Sequence, residues 1–274
     1  SKRHLTLMIS KSSTKTLRDY VADLAARGRY CFGLEEAREV LGISPNAARL
    51  AVNRMVKAGV LASPARGFYV TVPPEYRGLG CAPPDQFLPQ LMEFIGQPYY
   101  VGLLSAAQYY GAAHQRPQEF QVMLGSARRA IRCGRVRVAF MLRKDLKTVP
   151  VQTFNTQRGT IAVSTPEATA LDLVGYPRRV GGLDQIVAIL AELEEQLDGD
   201  RLACAAASAP VSWSQRLGYL LDWLNADSKT GPLHDYVQAQ AHEAIPLQPG
   251  DFRAGAPRNA KWKIWVSAEP EADQ

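Results

Sequence analysis

Three helical patterns, each ended by a glycine, and a β-hairpin pattern follow one another in the N-terminal part of the chain. The first covers 14–27, where apolar side chains recur at helical spacing, and the second covers 34–41. The third begins with Ser44 as N-cap and Pro45 in its first turn and runs to Gly59. The sequences VLAS and FYVTV then flank the turn PARG as two strands. This order predicts a winged helix-turn-helix domain.

A segment rich in proline and glycine, 73–85 (PPEYRGLGCAPPD), interrupts the periodic patterns and marks the expected domain boundary. We predict a winged helix-turn-helix domain over 1–77 and a larger domain over 78–274. In the larger domain, helices are predicted over 86–95, 102–110, 165–175, 183–197, 201–208 and 213–225, and strands over 119–124, 135–142, 149–154, 159–163 and 261–266. The predicted fold class is α+β, an N-terminal winged helix-turn-helix domain followed by a mixed α/β C-terminal domain.

The net charge of +6 is unevenly distributed along the chain. Residues 1–77 hold 13 Lys and Arg against 6 Asp and Glu, and residues 128–147 hold 8 against 1. Residues 148–274 are acidic, with 10 basic and 16 acidic side chains. Two basic segments on an acidic body indicate a polyanionic partner.

The third helix of the winged domain presents a polar stripe opposite an apolar one. Amide and guanidinium groups of this kind make paired hydrogen bonds with adenine and guanine edges in the major groove of DNA. Leu50 projects close to the polar stripe, and no acidic residue occurs over 40–74. We expect the flanking Arg54 to contact phosphate rather than bases, and the wing residue Arg66 to contact the DNA backbone or an adjacent minor groove. The predicted DNA-contacting residues are Ser44, Asn46, Arg49, Asn53, Arg54, Lys57 and Arg66. The apolar stripe comprises Ala48, Ala51, Val52 and Met55.

The second basic segment has three open interpretations: contacts to DNA phosphates, binding of an RNA, or a solvated or intramolecular face. Within the predicted strand, Arg135 and Arg137 share one face, and Val136 and Val138 share the other. The candidate secondary nucleic-acid contacts are Arg128, Arg129, Arg132, Arg135 and Arg137.

Sequence signals for catalysis, metals and cofactors are weak. The four histidines are isolated, the four cysteines are about fifty or more residues apart, and neither a GxGxxG fingerprint nor a Walker A loop occurs. Asp145 and Lys147 form the end of a nuclease-like D-x-K pattern without an obvious acidic partner upstream. We therefore predict a protein that is not an enzyme and uses no metal or cofactor.

Neither a transmembrane helix nor a secretory signal is predicted. The sequence holds no run of 18 apolar residues, and its first residues lack a hydrophobic core and a small-residue cleavage site. We expect no membrane association and a cytoplasmic location, which unpaired, scattered thiols also favour.

Several motifs resemble those of the AbiEi family of type IV antitoxins. After the winged helix come GLLSAAQYYGAAHQRPQEFQVM, a basic β-segment and STPEATALDLV, and the closing PLQP and NAKWKIWVS are similar to that family's C-terminal end. The resemblance implies a bacterial antitoxin whose winged helix binds inverted repeats in its own promoter and represses the toxin–antitoxin operon. It also implies that the C-terminal domain counteracts a nucleotidyltransferase toxin without forming a stable complex.

By position in the predicted elements, the resemblance implies a DNA-contacting role for Asn46, Arg49, Asn53, Arg54, Lys57 and Arg66. It implies no particular residues for toxin neutralisation. Two alternatives from other classes stay open at this point. One is a winged-helix-tethered, metal-dependent nuclease that uses Asp145 and Lys147. The other is a repressor whose second domain responds to a small ligand.

Overall fold

A computed structural model describes residues 16–113, 118–251 and 254–270. The chain forms two compact units: the first runs to Pro83 and includes Cys133–Val136, and the second comprises Pro84–Arg132 and the chain from Arg137 onward. The predicted α+β class is confirmed. The boundary that we predict between residues 77 and 78 falls inside a short 3-10 helix, Pro74–Leu79.

Over its described residues, the first unit has three α-helices and a three-stranded antiparallel sheet of order β1-β3-β2. Its first helix begins with a capping box, in which Thr16 and Asp19 satisfy each other's backbone N–H groups. The sequence analysis missed β1, a three-residue strand too short to show an alternating pattern. The elements are α1 (Leu17–Ala26), β1 (Cys31–Gly33), α2 (Leu34–Leu41), α3 (Pro45–Lys57), β2 (Leu61–Ala65) and β3 (Phe68–Thr71).

An aromatic cluster joins the helices of the first unit to its sheet. The ring of Phe32 meets Tyr20 edge-on with centroids 5.5 Å apart and stacks on Tyr69 at 5.7 Å. Val52 of α3 and Leu24 of α1 belong to the same core and are almost fully buried. This core holds one side of α3 and leaves the other side to solvent.

The second unit contains seven helices and nine strands within the described residues. Its main sheet has the order β6-β7-β5-β4-β9-β8, and a small sheet has the order β10-β12-β11. The helices are α4 (Leu88–Ile95), α5 (Leu103–Tyr109), α6 (Pro166–Gly175), α7 (Leu183–Leu193), α8 (Gly199–Ala206), α9 (Val211–Trp223) and α10 (Gly231–Gln240). The strands are β4 (Tyr99–Val101), β5 (Phe120–Leu124), β6 (Ile131–Cys133), β7 (Val136–Leu142), β8 (Val151–Thr156), β9 (Gly159–Ser164), β10 (Ile245–Pro246), β11 (Arg258–Asn259) and β12 (Ile264–Trp265).

One predicted strand starts a residue later than expected, and this corrects the placement of Arg135. Gly134 adopts a left-handed φ of 57° and forms a turn with Arg135, so that β7 begins at Val136. Arg135 and Arg137 therefore do not share a strand face. The late strand predicted over 261–266 is also shorter, because β12 holds only two residues.

Helix α6 is buried on every side. All eight residues from Glu167 to Val174 are buried, and the helix contacts α5, α7, α8 and α9. Thr165 caps its first turn by accepting the N–H of Ala168, and Pro166 occupies the first helical position. The segment STPEATALDLV therefore forms the central helix of the second unit.

A buried ion pair fixes α6 against its neighbours. Arg143 donates from Nε to Oδ1 of Asp172 at 3.1 Å, and the Tyr100 hydroxyl donates to Oδ2 at 2.7 Å. The guanidinium also donates to the carbonyl of Ser208 at 2.8 Å and lies 4.8 Å from the ring centroid of Trp213. Burial raises the pKa of Asp172 to about 6 even though Arg143 favours the carboxylate.

We predict that Arg143→Met destabilises the second unit by about 3–5 kcal/mol at pH 8, because it leaves a buried carboxylate without its cation. Loss of the cation raises the pKa of Asp172 further, so the protonated form is favoured and the destabilisation becomes smaller at pH 5. Denaturant unfolding followed by tryptophan fluorescence measures this effect, since all four tryptophans lie after residue 210. The control is Arg143→Met with Asp172→Asn, whose own free energy of unfolding should lack the pH dependence that Asp172 contributes to the single variant. An equal loss at both pH values in the single variant would contradict the assignment.

Candidate nucleic-acid interface

The residues before α3 fix where this helix begins. Ser44 has an extended backbone, and its Oγ accepts the N–H of Ala47 at 3.2 Å, while Pro45 occupies the first turn. At the other end, Gly59 has a left-handed φ of 69°, which ends the helix after Lys57 and Ala58. The predicted N-cap and the predicted glycine stop are both confirmed.

The two sides of α3 differ as the sequence pattern predicts. Ala48 and Val52 are buried, and Ala51 and Met55 are partly buried and pack against the core. The opposite side is exposed, and it carries the predicted residues Asn46, Arg49, Asn53, Arg54 and Lys57. The structure thus brings these five side chains together on one solvent-facing surface, which we call the α3 face.

Leu50 is an apolar side chain in the middle of the α3 face. It is 59% exposed, the most exposed of the large hydrophobic side chains in the described chain. On a helical projection it falls between Asn46 and Arg54, one turn from each. An exposed leucine at this position makes little contribution to the core.

The cations of the α3 face and the wing lack carboxylate partners within the described residues. Two cations elsewhere in the same unit are paired: Arg29 lies 2.8 Å from Glu36, and Arg38 lies 2.7 Å from Glu35. The segment 40–74, which holds α3 and the wing, contains no acid at all. The unpaired cations are Arg49, Arg54, Lys57 and Arg66.

The wing is the hairpin formed by β2 and β3. Arg66 and Gly67 form its two-residue turn, with Gly67 at a φ of 78° and Arg66 exposed at the tip. The Ser63 hydroxyl donates to the carbonyls of Ala65 (3.0 Å) and Phe68 (3.2 Å) and so closes the irregular end of the hairpin. The structure therefore presents the predicted wing arginine at an ordered tip.

The five arginines of the second basic segment divide between the two units. Arg135 belongs to the first unit, where its N–H donates to the carbonyl of Leu79 at 2.7 Å. The others belong to the second unit: Arg128 lies over the ring of Phe140 at 5.7 Å, Arg129 and Arg132 are exposed, and Arg137 is half-buried.

Asp145 and Lys147 do not lie in a recognisable catalytic cluster. Both are exposed at the short 3-10 turn Leu146–Thr148, and Asp145 has a left-handed φ of 52°. Within the part of the chain that the structure describes, no group of three metal-ligating side chains occurs. Over the same residues, no helix has both the length and the apolar character needed to cross a bilayer.

Histidine and cysteine positions add no catalytic constellation to the described residues. His234 lies edge-on to Trp262 at 5.6 Å, His242 is exposed, and His4 and His114 lie outside the described residues. All four cysteines are free thiols. The fold nevertheless places Cys81 beside Cys133, and a hydrogen bond between them raises the pKa of Cys81. Their separation in the sequence concealed this pair.

A winged helix with an acid-free exposed face and a larger mixed second unit define the architecture of a transcriptional regulator with an added domain. The sequence matches two domain families. Residues 19–72 match the family described as "Transcriptional regulator, AbiEi antitoxin", and residues 100–223 match the "AbiEi antitoxin C-terminal domain". The chain belongs to the AbiEi antitoxin family, which confirms the resemblance found in the motifs.

Solved structures with related folds include a protein of Mycobacterium tuberculosis.

 The RV2827C protein of this organism, known from a crystal structure, is 17% identical in sequence to this chain. The two structures match with a TM-score of 0.62 over 89% of each chain, so the two proteins share a fold. An antigenic nucleotidyltransferase-like protein from Paracoccidioides brasiliensis is 12% identical over 57% of this chain and 90% of that chain, with a TM-score of 0.36. That second similarity is too low to support a conclusion. No curated protein matches the sequence significantly.

We predict that Ser44→Ala weakens the start of α3 by about 1 kcal/mol, because the N–H of Ala47 loses its acceptor. Hydrogen exchange of the α3 amides, followed by mass spectrometry, should become faster in this variant. Ser44→Asn is the matched control, since an asparagine side chain can still cap the helix. Equal exchange in wild type and Ser44→Ala would show that the cap does not stabilise α3.

Proposed function

We propose that this protein is a type IV antitoxin that represses its own toxin–antitoxin operon by binding inverted repeats in the promoter. Its second unit counteracts a cognate nucleotidyltransferase toxin, and no stable complex with that toxin is required. The observation that carries the DNA-binding half is the exposed α3 face, whose cations have no carboxylate partners in the described chain. Membership of a family described as a transcriptional regulator supports the same assignment.

The dimensions and chemistry of α3 suit the major groove of DNA. Its 13 residues give a length of about 20 Å, and the major groove accommodates a helix of ordinary diameter. Asn46, Arg49 and Asn53 offer paired hydrogen bonds to purine edges and so supply sequence preference. One molecule on each half of an inverted repeat matches the symmetry of such a site.

The remaining cations of the first unit supply affinity rather than preference. Arg54 and Lys57 belong to the α3 face, and Arg66 extends from the wing tip; each of the three can contact backbone phosphates. The Ser44 end of α3 adds the positive end of the helix dipole. Arg135 belongs to the same unit and is a further candidate for phosphate contact. Binding through these groups weakens as salt rises, because it releases counterions from DNA.

Leu50 gives the α3 face a means of recognising thymine. The thymine C5-methyl is the apolar group that the major groove presents, and aliphatic side chains contact it. Leu50 lies one helical turn from Asn46 and next to Asn53 on the projection, two side chains that we assign to purine edges, which favours a position over the same groove. We therefore assign to Leu50 a contact with a thymine methyl in the operator.

Replacing Arg49 or Asn53 by Ala should weaken operator binding by about 1–3 kcal/mol and relax preference at one base position. Arg54→Ala, Lys57→Ala and Arg66→Ala should instead weaken binding to operator and scrambled DNA alike, each reducing the salt slope by about 1. Fluorescence anisotropy on both DNAs at several salt concentrations distinguishes the two groups. The matched control is Arg201→Ala, an exposed arginine of the second unit. Unchanged operator affinity and preference in both Arg49→Ala and Asn53→Ala would contradict the assignment of α3.

The same full-length variants separate repression from toxin counteraction. The double variant Arg49→Ala/Asn53→Ala is expressed from an unrelated promoter. It should no longer repress a reporter gene that is controlled by the promoter of the toxin–antitoxin operon. It should still protect cells that express the nucleotidyltransferase toxin of the operon, because the second unit is unchanged. Loss of protection despite normal protein levels would show that the two activities are not separate.

For Leu50, replacing the contacted thymine of the operator by deoxyuridine removes the methyl group. This change should weaken wild-type binding by about 0.8 kcal/mol, about fourfold in Kd, and should have no further effect on Leu50→Ala. A cycle of the two proteins on the two DNAs isolates the contact. Val40→Ala, which shortens an exposed side chain on α2, is the control. If no thymine of the operator couples to Leu50 while the operator is still bound specifically, the methyl contact is wrong and DNA binding stands.

A further inference from the structure

The second unit contains a cavity of about 510 Å³ that the functions proposed above leave without a role. It lies among the C-terminal end of α6, the segment 177–179, the start of α7, the middle of α9 and residues 247–249. Its volume falls in the range of small-molecule binding sites, roughly 300–1,000 Å³. Every lining residue belongs to the second unit.

The lining of the cavity is basic, although the segment 148–274, to which all of its lining residues belong, is acidic overall. Residues 148–274 hold 10 basic and 16 acidic side chains. Three of those basic residues, Arg178, Arg179 and Arg216, line the cavity, and no acidic residue does. Asp184 lies one residue beyond the lining residue Leu183 but is not part of the lining. This concentration of positive charge within an acidic region favours an anionic occupant.

Arg216 has no ionic partner within the described residues, although it is half-buried. Its Nε donates to the carbonyl of Pro246 at 3.2 Å, and burial lowers the pKa of its guanidinium. Two other cations of the same unit are paired: Arg143 meets Asp172 at 3.1 Å, and Lys261 lies 2.6 Å from Asp222. A partly desolvated guanidinium with only a carbonyl to bind retains hydrogen-bonding capacity for a carboxylate, phosphate or sulfonate.

The walls around this charge are largely apolar. Leu183 and Ile186 contribute from α7, Leu220 from α9, and Leu247 from the loop after β10. Ile186, Leu220 and Leu247 are themselves buried and so form a firm wall. Arg178 and Arg179 are exposed at the same cavity, where their side chains can adjust to a ligand.

We propose that this cavity binds a small organic anion with an apolar body. The acidic head group lies against Arg216, with Arg178 and Arg179 adding positive charge, and the apolar body lies among the leucine and isoleucine side chains. This site is independent of the α3 face, because none of its residues lies in the first unit. The inference rests on the cavity and its charges and does not depend on the DNA-binding proposal.

The experiment is a fluorescence titration of the full-length protein with 8-anilino-1-naphthalenesulfonate, an apolar anion. We expect saturable binding of one molecule per chain, weakened about tenfold or more by Arg216→Met, which keeps an unbranched apolar stem but removes the guanidinium and its charge. The double variant Arg178→Met/Arg179→Met tests the exposed cations without touching the core and should weaken binding several-fold. Arg201→Met, an exposed arginine of α8 outside the cavity, is the matched control and should bind as wild type does.

The neutral probe N-phenyl-1-naphthylamine separates charge recognition from general apolar binding. Its affinity should be nearly the same in wild type and in Arg216→Met. Circular dichroism verifies that the variants keep their fold. If Arg216→Met does not fold, the double variant Arg178→Met/Arg179→Met tests whether charge in the cavity contributes to binding. Absence of saturable binding to wild type, or equal binding of the sulfonate by the cavity variants and Arg201→Met, would overturn the proposal.

Discussion

Complete burial of α6 is the constraint on which the second unit depends. A helix with no exposed side must satisfy each of its polar groups within the protein, since an unpaired buried polar group is costly. Glu167 accepts the N–H of Asp198 at 3.2 Å, and Thr169 shares a 2.7 Å hydrogen bond with Ser164. Asp172 is paired with Arg143. Each of these bonds fixes a neighbouring segment of the unit relative to the helix.

This arrangement explains why STPEATALDLV is a distinctive sequence without being a site of chemistry. A surface helix needs only an apolar stripe, but every position of α6 faces another part of the protein. The small residues Ala168 and Ala170 permit close packing, and the polar residues occur only where a partner exists. The motif therefore marks the architecture of the C-terminal unit, and only its last residue, Val174, reaches the lining of the cavity.

The two candidate binding surfaces are built from opposite kinds of environment. The α3 face is solvent-exposed, and it owes its positive character to the absence of acids from a whole stretch of sequence. The cavity lies in an acidic part of the chain and is positive because three arginines converge there. Arg143 differs from the arginines of both surfaces, because it lies in the core and its charge is neutralised by Asp172.

Local signals predicted the first unit well, because caps and glycine stops act over only a few residues. Ser44, Pro45 and Gly59 determine the ends of α3, and each is visible in the sequence. The three-residue strands β1, β4 and β6 were missed because pairing with distant strands, and not a local pattern, defines them. Helix α10 was missed because only Leu233 and Val237 are buried along it, too few for a clear stripe.

Features assembled from distant segments could not be predicted at all. The cavity is lined by residues from several segments between Val174 and Pro249. Cys81 and Cys133 are distant in the sequence, and they meet because the fold brings both into the first unit. For the α3 face, the sequence pattern predicted the polar side chains and placed Leu50 close to them, but it assigned no role to Leu50, which the folded unit leaves 59% exposed.

The most direct test of the central claim is a mobility-shift titration of the wild-type protein on the DNA upstream of its own gene, with scrambled DNA as competitor. The account predicts tight binding that resists the competitor and weakens as salt rises. If Arg54, Lys57 and Arg66 each contact one phosphate, affinity should fall about fortyfold per bound molecule between roughly 50 and 200 mM salt. Weak binding of equal strength to both DNAs would contradict the assignment of α3 as a sequence-reading helix.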